Sequence, residues 1–248
     1  MRFQLLAARA AFGALILAAL TGAGAVIAVR TGAATIKTGE TLMIPATALG
    51  LLALIAAALW LRSAIARNAG DGKRIGMIAL IGSLAFLYPP LSYVYTGFTS
   101  LPIHDITSDP EDPPQFKVLE NRPFDGQRKI RYKGEDVTAA YAIHDKYLAL
   151  TKPHAGLLIS PKKVYWRSFE TTKRLGWTIV DASEKDLRIE ATDRSFWFGR
   201  IFDIVIRVRP AGTIGGRVDA RSQSRDGLID HGANAARLKA FFGRVHVP

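Results

Sequence analysis

Three runs of about twenty residues without a charged side chain, 10–29, 42–61 and 75–97, open the chain; beyond residue 99 the apolar positions recur every three to four residues and then every two. A run of that length rises about 30 Å as a helix, the thickness of a bilayer's hydrocarbon core. The first 98 residues therefore predict three transmembrane helices. Trp60 and then Arg62 close the second run as an interfacial anchor does, and Pro89-Pro90 should kink or end the third, with Tyr88, Tyr93, Tyr95 and Phe98 clustered around the break at headgroup level. Gly22, Gly24, Gly50 and Gly82 offer small-residue positions for helix packing. No ionisable residue interrupts the three runs, so they read as an anchor.

Residues 99–128 hold Pro102, Pro110, Pro113, Pro114 and Pro123 with little apolar periodicity, and predict a Pro/Asp-rich linker or wrap containing one short strand at 103–107. Residues 129–248 predict an α+β domain. Ser160-Pro161 starts a helix that Gly176 stops, with Val164, Ser168, Thr172 and Leu175 on one face and Phe169 beside it. Period-two runs follow at 177–182, 187–193, 202–209 and 217–225. They predict a four-stranded antiparallel meander, flanked and covered by helices, with one apolar and one charged face. A closing helix spans 232–242, with Asp230 as its cap.

Charge adds direction. The chain carries a net +12, half of it in the first 99 residues. Arg62, Arg67, Lys73 and Arg74 crowd the second loop, against Arg30, Lys37 and Glu40 in the first. Basic loops stay cytoplasmic, which puts the N-terminus inside and the C-terminal domain outside. A rival reading makes the first run a cleaved signal peptide ending near Ala23-Gly24-Ala25; the domain then reaches the same side. A basic chain next to a membrane is matched by anionic lipid, and lipid is preferred here to nucleic acid as the partner. The absence of cysteine excludes disulfides and thiolate chemistry, and no cofactor is expected.

The strongest candidate chemistry is the charged sheet face: Glu190, Asp203, Arg207, Arg209, Asp219, Arg221 and Arg225, with Asn234 and Arg237 at the start of the closing helix. Cross-strand neighbours stand about 5 Å apart, so carboxylates and guanidiniums can pair there, and the arginine surplus suits phosphate or carboxylate. The alternative is a solvated lattice of salt bridges. Asp109, Glu111 and Asp112 read as a solvated acidic turn in preference to a metal loop, and no metal is expected. Phe196-Trp197-Phe198 reads as a core strand or lid, or else as a wall for an acyl chain or a wedge into the bilayer. Ser222, Ser224, His231, Asp219 and Asp230 are the residue types of a hydrolase, without a nucleophile elbow around either serine. His144, His154 and His246 are isolated surface residues.

The segments Pro102–Thr107, Gly176-Trp177, Ile189–Asp193, Phe196–Gly199 and Arg217–Arg225, followed by Asp230–Arg237, resemble the domain of unknown function family 1499 over about residues 101–244. The chain departs from the usual family pattern at Phe202-Asp203, at Asp226 and over Tyr141–Tyr147. The resemblance implies a bacterial envelope or plastid domain, often behind a few spans, with no activity attached. Together these readings describe a multi-pass protein of the bacterial inner membrane with a periplasmic module. Its expected role is non-enzymatic binding of membrane lipid, an anionic envelope component or an envelope protein. The alternative is a membrane-anchored hydrolase or transferase using the Asp, Arg and Ser cluster.

Overall fold

The computed structural model describes residues 2–66, 72–101, 103–121, 154–156 and 159–245. Arg67, the 122–128 end of the expected linker, the boundary at 129, Tyr141–Tyr147, His144 and His246 lie outside the described residues. The chain divides into two compact units, residues 1–98 with 197–199, and residues 99–196 with 200–248.

In the first unit, helices α1 (Arg2–Arg30), α2 (Ile36–Ala66) and α3 (Lys73–Thr99) each extend past the uncharged run that announces them, and each is long and apolar enough to cross a membrane. Their buried seam is made of small residues: Ala11, Ala57 and Ala79 meet where the three helices pack. A Cβ on Gly50 would lie 2.8 Å from the Phe86 ring, and one on Gly82 2.6 Å from Leu15, so both glycines let a large neighbour reach the backbone. Gly22 meets Phe86 at ordinary contact distance, whereas Gly24 faces open space.

One expectation changes and one alternative is resolved. Trp60 is not an interfacial ring: it is buried, because Gly76 leaves room for the indole 2.4 Å from where a Cβ would stand. The third helix runs on through Pro89-Pro90 to Thr99 with both prolines inside, as the uncharged run 75–97 predicts, so the alternative in which the pair ends it is excluded. Two missing N–H donors remove two bonds from a helix whose other turns keep theirs, a loss that packing against neighbouring helices offsets. Tyr88, Tyr93, Tyr95 and Phe98 are exposed along its last turns, as expected of an aromatic belt.

The second unit is built on an antiparallel sheet. The expected meander is present as β3 (Thr178–Ser183), β4 (Arg188–Arg194), β5 (Ile201–Ala211) and β6 (Gly215–Ser224). Two short strands extend it: β1 (Asp105–Thr107) and β2 (His154–Gly156) share the outer edge of β6, giving the order β1-β6-β5-β4-β3 with β2 beside β6. Asp105 pairs with Gln223 and His154 with Val218, so together they cover an edge that would otherwise present bare N–H and C=O groups.

Helices α4 (Pro161–Arg174) and α5 (Ala233–Phe242) cover the apolar face. Helix α4 ends as the sequence indicates: Gly176 takes φ +77°, donating to the Lys173 carbonyl while Trp177 N–H reaches the Thr172 carbonyl. Ser160 stands at its start without a capping side-chain bond. The N-cap of α5 is Gly232, at φ +81°, and not Asp230, which stands two residues earlier and still accepts from Gly232 N at 2.6 Å and Asn234 N at 3.3 Å. Ile189, Ala191, Ile204, Ile206, Val208, Val218 and Ala220 from the sheet pack against Val164, Tyr165, Leu238 and Phe241 from the helices. Trp177 stacks on Phe241 at 6.1 Å.

Candidate functional site

The opposite face of the sheet is where the sequence placed a ligand site, and seven of the nine expected residues do lie there. Period-two geometry sends Glu190 on β4, Asp203, Arg207 and Arg209 on β5, and Asp219 and Arg221 on β6 to one side, with Arg225 just past the end of β6 reaching Asp203 there. That side is not open. The segment from Asp105 to Asn121, expected as a linker or wrap, crosses it and supplies the partners that the arginines lack within the sheet.

At the β6 edge, Arg221 is fully buried, its guanidinium donating to the Asp105 carboxylate at 2.7 and 3.1 Å and lying 5.3 Å from the Phe116 ring centre. In the middle, three arginines meet three aspartates. Arg217 donates to Asp219 at 2.8 Å and to Asp109 at 3.0 Å. Arg209 joins Asp112 at 2.6 Å, Asp219 at 2.8 Å, and Asp109. Arg207 reaches the Asp112 carbonyl at 2.6 Å and its carboxylate at 3.1 Å. Burial works against the Arg209 charge, but Asp219 and Asp109 outweigh it and hold its pKa above the usual arginine value. At the sheet's end, Arg225 grips Asp203 with two guanidinium nitrogens.

Glu190 has a different partner. Fully buried, its carboxylate accepts the backbone N–H groups of Lys117 (2.6 Å), Val118 (3.1 Å) and Leu119 (2.8 Å), and Arg188 Nε stands 2.9 Å away. Successive amides at the start of the short 3-10 turn Leu119–Asn121 form an anion nest, and the protein fills it with its own side chain. Phe116 and Leu119 then plug the surface over Val205 and Val180.

Two readings change here. The acidic turn is solvated only at Glu111 and Asp112, since Asp109 is buried among arginines, and the face has no arginine surplus once Asp105, Asp109 and Asp112 are counted. Those three acids are what reading the strands alone misses. Their signal was available as carboxylates in a proline-rich segment preceding a sheet with too many arginines.

Asn234 and Arg237 lie on the other face, beneath α5. Asn234 is fully buried and joins four groups: its Nδ2 donates to the His104 carbonyl (3.0 Å), Ser224 Oγ (3.2 Å) and Asp230 (2.5 Å), and its Oδ1 accepts from Ser222 Oγ (2.6 Å). Burial pushes the Asp230 carboxyl above the usual carboxylate range, against the pull of those donors. Arg237 lies 3.6 Å from the Phe202 ring centre and donates to Asp193 at 2.8 Å; burial lowers its pKa. Ser222 and Ser224 are buried in this network, and Asp219 belongs to the opposite face, so the structure does not gather the serines, His231 and both aspartates at one point.

Arg200, which sequence reasoning passed over, bolts two loops together. It grips Asp226 through two bonds of 2.7 Å and donates to the carbonyls of Leu228 and Ile229. Its position just before β5 gave no periodic signal. The loops it joins expose apolar side chains, and Phe196 is solvent-facing and not a core residue.

Most segments that carry the family resemblance meet at this end of the sheet, where β1 starts, β4 and β6 finish and α5 begins. The family described as protein of unknown function (DUF1499) matches residues 105–245, more than half of the chain, and the chain belongs to that family. No curated protein and no solved structure matches it.

Proposed function

We propose that this family member is a membrane-anchored module that acts by binding at the membrane and not by catalysis, with membrane lipid as its first ligand. The reading sets it in a bacterial inner membrane, N-terminus cytoplasmic and domain periplasmic. What supports it is the fate of the polar residues. The guanidiniums of the charged face each meet a carboxylate of the same chain, the Glu190 carboxylate occupies the amide nest, and both candidate nucleophiles are hydrogen-bonded to Asn234 or buried beside it. A catalytic group needs access to substrate, and these side chains instead satisfy one another. An anionic polymer at this face would have to displace Asp109 and Asp112 from three arginines, which disfavours the anion version relative to lipid.

Native mass spectrometry of the intact chain released from its membrane tests the reading. Phospholipid retained after detergent exchange is the expected result; a spectrum of bare protein under all detergents sinks it. Orientation is tested separately, because the chain contains no cysteine. A membrane-impermeant maleimide added to intact cells with permeable outer membranes should label Ile214→Cys at once and Asn68→Cys only after lysis.

A further inference from the structure

We infer that the outer face of helix α4 is a docking surface for anionic phospholipid headgroups, with Trp166 as its wedge. The inference deepens the binding function proposed above and rests on it, adding the class of lipid and the place of contact.

Val164, Tyr165, Ser168, Thr171 and Thr172 bury one side of α4 against the sheet, so the opposite side faces outward. From Lys162 to Arg174 the helix carries five bases and a single acid, Glu170, all of them exposed. Helical spacing sorts the outward residues into two rows. Lys162, Trp166, Phe169 and Lys173 follow one flank, and Lys163, Arg167 and Arg174 the other. Unlike the arginines of the sheet, these charges are not cancelled. Lys162 meets Glu184 at 2.5 Å and Lys173 meets Glu170 at 3.6 Å, but all four side chains are open to solvent, where water and salt weaken both pairs. Lys163 and Arg174 meet no carboxylate among the described residues. The face therefore keeps a positive surplus.

A basic helix face is ordinarily only solvated; Trp166 sets this one apart. Its ring is 44 % exposed in the middle of the bases. Tyr165 and Phe169 meet it edge-on, each with ring centres 5.4 Å apart, so two aromatic contacts fix where the indole stands. Lys173 lies 5.7 Å from the Phe169 ring centre and extends the aromatic row into a charge. The platform beneath is close-packed, because a Cβ on Gly216 of β6 would lie 2.8 Å from Val164 and 2.9 Å from the Pro161 backbone. An indole flanked by long basic side chains suits the membrane interface: the ring enters the headgroup layer while lysine and arginine stems carry their charges back to the phosphates. Shape selects among anionic partners. A single helix is convex and roughly 10 Å across, so it offers an acidic peptide no groove in which to seat side chains around Trp166. A fluid lipid layer closes round a convex surface and takes the ring and the charges together.

The full chain held in nanodiscs of phosphatidylcholine alone, and then offered separate vesicles of phosphatidylethanolamine and phosphatidylglycerol, tests the inference by flotation, since the disc supplies no anionic lipid. These vesicles should capture the chain several-fold better than vesicles of phosphatidylcholine. Lys163→Gln/Arg174→Gln should weaken capture on the order of tenfold while leaving the unfolding curve unchanged. A nitroxide on Trp166→Cys should gain relaxation by oxygen over relaxation by a water-soluble nickel chelate when the vesicles are added. The same label on Gln115→Cys, exposed on the segment that covers the other face of the sheet, should not change. No capture, capture that Lys163→Gln/Arg174→Gln leaves intact, or capture without an oxygen gain at 166 overturns the proposal. Binding of soluble polyglutamate as tight as that of the vesicles also overturns it, because it would mark an acidic protein partner. If capture fails while native mass spectrometry still finds retained phospholipid, this face fails and the binding function stands; if neither is seen, both fail.

Discussion

The two faces of the central sheet are both covered, and they are covered by opposite means. Under the helices, Ile204, Ile206, Val208 and Ala220 meet Leu238 and Phe241, and each contact is one of many interchangeable dispersion contacts. Across the sheet, Arg221, Glu190, Asp203 and Asp219 are as buried as those residues, yet each owes its tolerance to particular partners on the crossing segment or a neighbouring strand. Two charges leave water at a cost of several kcal/mol each and regain it only if geometry is good and the remaining donors are bonded. A face built that way adds little net stability over an apolar one. It does specify which segment covers it, because Asp105, Asp109 and Asp112 match the arginines only in one register.

The sharpest break of this comparison is Arg221→Met. It removes the buried partner of Asp105 and the cation beside Phe116, and should cost about 3–5 kcal/mol in denaturant unfolding of the detergent-solubilised chain followed by Trp fluorescence. Adding Asp105→Leu should recover a large part of that loss, since a paired apolar replacement leaves no stranded charge. If the double variant is as unstable as the single one, the pair is not what holds the covering segment.

Asn234→Ala tests the polar island inside the otherwise apolar face. It leaves Ser222, Ser224 and the His104 carbonyl short of partners where water does not reach, and should cost about 2–3 kcal/mol by the same measurement. The conservative Ile206→Val on the same face should cost only about 1 kcal/mol, the expected loss for one buried methyl. A charged-face substitution that proves as mild as Ile206→Val would erase the distinction between the faces.

How much of this the sequence announces follows the same division. Helix α4, the four long strands and the apolar face were legible because a packed face repeats with the period of its element. The burial of Trp60 was not, because it depends on a neighbouring helix whose Gly76 has no local sign. The candidate site was half legible. Strand period put seven of its nine residues on one side, but Asn234 and Arg237 went to the other, since α5 returns over the apolar face. The covering acids escaped for a related reason: Asp105 and Arg221 are partners across 116 residues of chain, a relation that no window along the sequence contains.

The weakest expected effect concerns Asp230, a carboxylate beneath the helices whose pKa is raised. Burial favours its neutral form, while Gly232 N–H, both Asn234 donors and the Arg200 charge favour the ionised one, and burial prevails, so the net shift is upward. A carboxyl whose pKa is higher folded than unfolded binds more protons in the native state. Its contribution to stability is then fullest below the unfolded value near about 3.9 and is lost as pH rises through the folded value. Measured from pH about 4 to neutrality, the stability of the natural chain relative to Asp230→Asn should therefore decline as pH rises and then level off. A difference that stays flat, or that grows with pH, means that the donors around Asp230 outweigh its burial and that the island is tuned to hold a charge, like the face across the sheet.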